Sequence, residues 1–73
     1  MKMIKTFNKK AFGFYRQCVI SHCKGHVHRV FSLLSTISLY GNLYLRVGKL
    51  DTEQNIRYEE TLNEISKLTG ILW

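Results

Sequence analysis

The chain has 73 residues, of which 45% are apolar, 12% aromatic and 22% charged, with five glycines and no proline. This composition describes one small domain spanning residues 1–73, and it excludes a disordered tail, a collagenous or Pro-rich linker and a large enzyme with a deep pocket. The net charge of +6 is laid down unevenly: Met1–Leu50 carries +9 without a single Asp or Glu, and the last 23 residues hold all five acids and carry −3.

The first predicted element is an amphipathic helix over Lys9–Lys24, with Asn8 as its N-cap and Gly25 as its stop. On a helical wheel Ala11, Phe12, Phe14, Tyr15, Cys18, Val19, His22 and Cys23 gather in an arc of about 180°, read as the buried face. Lys9, Lys10, Arg16, Gln17, Ser21 and Lys24 take the other side, and Ile20 is out of place among them.

Residues 26–50 admit two readings. As a helix, Val27, Val30, Phe31, Leu33, Leu34 and Ile37 share an arc of about 160°. As strands, Thr36–Tyr40 and Leu43–Val47 alternate around Gly41-Asn42. Helix through about Ser35 is the reading adopted, and a short β-hairpin at about 36–47 stands beside a further helix as an equal alternative. The hairpin needs a three-residue loop at Tyr40-Gly41-Asn42, because a two-residue loop puts Ile37 and Leu39 on the face of Tyr44 and Arg46.

The last predicted helix runs from about 52 to 69. Asp51 or Thr52 caps it, Gln54 or Asn55 completes the cap, and Gly70 ends it. Tyr58, Thr61, Leu62, Ile65, Leu68 and Thr69 form its apolar stripe, with Glu53–Arg57 and Glu64–Lys67 paired on the wet side. The fold class is therefore mainly α, with two or three helices in one small domain. A domain of this size has a stability margin of about 5 kcal/mol or less.

Two cysteines without a secretory leader point to a reducing, cytoplasmic setting rather than a disulfide framework. Val30–Leu45 is uncharged but too short and too rich in Ser, Thr, Gly and Asn to predict a membrane span.

Cys18, His22, Cys23, His26 and His28 lie within eleven residues. Zinc takes four N or S donors, usually in two closely spaced pairs. The spacings here match no common finger, so the primary reading has no metal or cofactor; a zinc-stabilised module using Cys18, Cys23, His26 and His28 is an alternative. A Cys–His nucleophile drawn from the same residues has no third orienting group and no acid within the first fifty residues of the chain, so the chain is read as non-enzymatic.

The strongest functional signal is the basic face. Lys9, Lys10, Arg16 and Lys24 flank Gln17 and Ser21, while Arg29, Arg46 and Lys49 extend the patch. Such a face suits phosphate oxygens or an acidic protein surface, and four phosphate contacts give a salt slope of about −3.6 on duplex DNA. Tyr40, Tyr44 and Trp73 are read as anchors of a protein interface, placed in loops or at the terminus. The expected function is a small basic binding protein or regulator that docks on nucleic acid or on an acidic surface of a polymerase- or ribosome-like complex. A virus- or plasmid-encoded modulator of a host enzyme would fit this description.

Phe14-Tyr15-Arg16, near the start of a basic helix, resembles the Leu-Tyr-Arg tripeptide of the mitochondrial LYR-motif proteins. That resemblance implies an alternative role as an assembly adaptor for respiratory or iron–sulfur enzymes. Phe stands in place of Leu, and residues 30–45 lack the basic character of that family's middle helix.

Overall fold

The computed structural model describes residues 7–72, which form three α-helices: α1 (Lys9–Ser21), α2 (Val27–Val47) and α3 (Thr52–Thr69). Asn8 caps α1 as expected, its side chain accepting from the Lys10 and Ala11 amides at 2.8 and 3.1 Å. The helix ends earlier than the predicted Lys24. Side chains take over its terminal carbonyls: His22 Nδ1 donates to the Cys18 carbonyl at 2.9 Å and Cys23 Sγ to that of Ile20 at 3.1 Å. Lys24, not Gly25, adopts the left-handed backbone of the turn (φ 50°).

The alternative hairpin at 36–47 does not form, because α2 continues to Val47 before Gly48 stops it at φ 94°. Val30, Leu33, Leu34, Ile37, Gly41 and Tyr44 keep a helical repeat straight through the Gly41-Asn42 pair. Gly41 belongs in this helix for a packing reason. It is buried, and a Cβ there would lie inside the van der Waals envelope of the Phe7 ring. The glycine admits the aromatic ring that anchors the chain entering α1.

In α3, Asp51 and Gln54 form the capping box: the Gln54 amide donates to Asp51 Oδ1 at 2.8 Å and the Asp51 amide to Gln54 Oε1 at 3.0 Å. Gly70, at φ 78°, closes the helix.

α2 packs against both other helices, with neighbours antiparallel to it. Phe7 meets Gly41 while Arg16 meets Phe31 on one flank, and Arg29 meets Glu64 on the other. Tyr15, Val19, Val30, Ile37, Tyr58 and Ile65 are central to the core. The buried side of α1 is narrower than the predicted arc, because only α2 and part of α3 cover it. Tyr15 and Val19 are buried, Phe12 and the seemingly misplaced Ile20 are half-buried, and Ala11, Phe14, Cys18 and His22 face outward.

Burial, then the proximity of Tyr58, pushes the Tyr15 hydroxyl up to about 12; burial, then the Glu59 carboxylate, pushes Tyr58 up to about 12. Both side chains are neutral below pH 10 in folded and unfolded chains alike, so their contribution is fully present there. Between pH 10 and 12 the unfolded chain loses these protons while the folded one keeps them, so stability falls as pH rises. Tyrosinate absorbance from these two residues is expected to rise together with the loss of helical circular dichroism. All tyrosines ionising by about pH 10 with helicity intact would contradict the packing of these two rings.

Candidate functional site

The basic residues come from elements whose local chemistry leaves them on the surface. In α1, Lys9 and Lys10 occupy the first turn, where no acid offsets the positive end of the helix dipole. Like charge at that end costs α1 some stability and concentrates positive potential there. Arg16, Gln17 and Lys24 are exposed further along, and Arg46 and Lys49 are exposed at the end of α2 and the turn after it. The antiparallel packing of α1 and α2 sets Lys9 and Lys10 at the same end of the bundle as Arg46 and Lys49. Lys24 lies at the opposite end, and Arg16 lies between them.

Among the described residues, no carboxylate lies within ion-pair distance of Lys9, Lys10, Arg16, Lys24, Arg46 or Lys49. Arg29 differs. Its guanidinium spans to α3, with Nε 2.6 Å and Nη2 2.5 Å from Glu64 Oε2, so this cation is part of the α2–α3 contact. The expected Glu64–Lys67 pair is replaced by this longer-range bridge, whereas Glu53–Arg57 is present at 3.5 Å. Both pairs are solvent-exposed, and such pairs contribute about 0–1 kcal/mol.

Tyr40 and Tyr44 lie within α2 and are half-buried, not in loops. Tyr40 lines a groove of about 260 Å³ between α2 and α3, together with Arg29, Arg57, Glu60 and Glu64. Trp73 lies outside the described residues. Of the proposed zinc ligands, Cys18, His26 and His28 are exposed and Cys23 is buried. Among the described residues, no three His, Cys, Asp or Glu side chains are grouped to hold a metal ion. No helix among them is long and apolar enough to cross a membrane.

The feature that sequence reasoning missed is the exposed apolar surface on α1 and α2. Phe14 is 63% and Leu39 64% exposed, and Phe31 sits under Arg16, whose guanidinium carbon is 6.0 Å from the ring centroid. For Phe14 and Phe31 the signal was the width of the predicted apolar arcs on α1 and α2, broader than one neighbouring helix covers; Leu39 lies outside the predicted arc.

No protein-family model matches this chain, and no curated protein and no solved structure matches it. The tripeptide resembling the LYR motif is divided by the fold: Phe14 faces solvent, Tyr15 is buried, and Arg16 lies over Phe31.

Proposed function

We propose that this chain is a non-enzymatic basic binding protein of the cytoplasm that docks on the phosphate backbone of nucleic acid within a nucleic-acid-processing complex. Lys9, Lys10, Arg16 and Lys24 make the contacts, and Arg46 and Gln17 assist. One observation carries this reading: these cations are exposed on a stretch of fifty residues without an acid, and no carboxylate among the described residues neutralises them. Mixed signs serve solubility, whereas an unmixed basic surface attracts polyanions and speeds encounter with them. Arg29, whose charge is partly offset by Glu64, adds less to this surface than the cations without a carboxylate partner. Contacts of this kind position a protein on a duplex and do not read its bases.

A second reading, docking on an acidic protein surface of such a complex, is favoured by the exposed Phe14, Phe31 and Leu39, with Arg16 over the Phe31 ring. Apolar side chains of this sort add affinity at a protein interface and none on a phosphate backbone. The two readings separate in one experiment, in which generic duplex DNA and single-stranded RNA are titrated at low and moderate salt beside a pull-down from nuclease-treated lysate. Salt-sensitive binding to either polynucleotide supports direct nucleic-acid contact. One stoichiometric protein that survives nuclease, with no polynucleotide binding, supports the second reading.

A further inference from the structure

A surface groove of about 470 Å³ runs between α1 and α2, lined by Phe12, Arg16, Phe31, Leu34, Ser35 and Ser38, with no contribution from α3. Leu34 is buried and forms its floor; Phe12 and Phe31 are partly exposed walls; Arg16 and Ser35 stand exposed at the rim. The lining residues recur every three or four positions on both helices. The groove therefore follows the helix axes for about 10 Å, the rise from Phe31 to Ser38 on α2. Two antiparallel helices with a groove of that length, in which Phe12, Phe31 and Leu34 alternate with Arg16, Ser35 and Ser38, leave a side against which a further amphipathic helix can pack.

We infer that this groove seats a helix supplied by a partner protein, one that carries an aliphatic or aromatic anchor and, about one turn away, a carboxylate. The anchor rests on Leu34 between the rings of Phe12 and Phe31, and the carboxylate meets Arg16 at the rim. Charge decides the sign of the occupant: among the described residues Arg16 is the sole charged one lining the groove, Lys9 and Lys10 share its helix, and no acid occurs before Asp51. A basic or neutral helix gains nothing from Arg16, whereas an acidic one gains a charge-assisted contact beside the two rings.

A second copy of this chain is a poorer occupant. Ile56 of its α3, with Glu53 and Glu60 one turn away, has the anchor-and-carboxylate pattern, but each monomer carries +6 and two copies repel each other. A small molecule is also poorly served, because this open rim does not enclose the 70–90% of ligand surface typical of a small-molecule site. The inference rests on the basic side being a docking surface, and it narrows the second reading above to one groove and one class of partner.

The test is selection of random helical peptides on the immobilised full chain, followed by affinity measurement against two variants. Ser35→Trp fills the groove without altering charge, and Phe31→Glu removes one wall and repels an acidic peptide. The enriched peptides are expected to carry Asp or Glu within one turn of Leu, Ile or Phe, and to bind both variants at least about tenfold more weakly, a factor equivalent to about 1.4 kcal/mol. Circular dichroism matching the parent verifies that a variant is folded, and either variant alone suffices. Failure to enrich any peptide, enrichment of sequences without carboxylates, undiminished binding to a folded variant, or self-association of the chain in place of peptide binding would each overturn the inference. Binding of Ser35→Trp to duplex DNA is measured in parallel. DNA binding that persists while peptide binding is lost isolates the groove; peptide binding without any DNA binding overturns the nucleic-acid reading alone.

Discussion

Ile37→Ala is expected to leave the chain largely unfolded near physiological temperature. Ile37 has no solvent exposure and sits midway along α2, the helix that packs against both others. Removing its branched side chain costs about 2–5 kcal/mol through lost burial and the cavity left behind. The whole margin of a domain this small is about 5 kcal/mol or less, so the loss consumes most or all of it. Urea denaturation followed by circular dichroism measures the effect. Leu39→Ala is the control on the same helix: Leu39 is 64% exposed, and its truncation should shift stability by no more than about 0.5 kcal/mol. Equal stability of the two variants would contradict the packing.

The second large effect is at Gly41. A valine there meets the Phe7 ring, which is itself 6% exposed and closes the core at the entrance to α1. Expelling that ring forfeits about 1.5–3 kcal/mol of burial, while exchanging glycine for valine in a helix returns less than about 1 kcal/mol. Gly41→Val should therefore destabilise by about 1–2 kcal/mol once the ring is lost, even though the substitution improves helix propensity. The diagnostic is a double-mutant cycle. If valine acts by displacing Phe7, adding Phe7→Ala to Gly41→Val costs less than Phe7→Ala does alone, with a coupling of about 1 kcal/mol or more. Strict additivity would mean that the two residues do not share a site.

The helical character of the ends was legible because their caps are local. Asn8 bonds amides two and three residues on, and the Asp51–Gln54 box is complete within four residues. The middle was ambiguous because Gly41-Asn42 is a turn signature only when nothing packs on the glycine, and the ring that packs there comes from Phe7, remote in the chain. Likewise, the wheel of α1 separated apolar from charged residues correctly but did not state how many neighbours would cover the apolar side. One flank is covered and the other is not, so Phe14, Cys18 and His22 are exposed.

Of the candidate site, surface position was legible and pairing was not. Exposure of Lys9, Lys10, Arg16 and Lys24 follows from the amphipathic pattern, while the Arg29–Glu64 bridge joins residues 35 apart. The groove beside Arg16 needed the α1–α2 crossing, which no helical wheel contains.

The most direct measurement is the affinity for generic duplex DNA as a function of salt, for the parent chain and for Lys10→Glu/Arg16→Glu, with circular dichroism verifying that both are folded. If Lys9, Lys10, Arg16 and Lys24 each neutralise a phosphate, the logarithm of the binding constant falls with log salt at a slope of about −3.6, and the double reversal reduces it to about −1.8 or less while weakening binding at every salt concentration. A parent affinity insensitive to salt, or a folded double variant that binds as tightly and as steeply as the parent, would contradict the claim that these exposed cations are the docking surface.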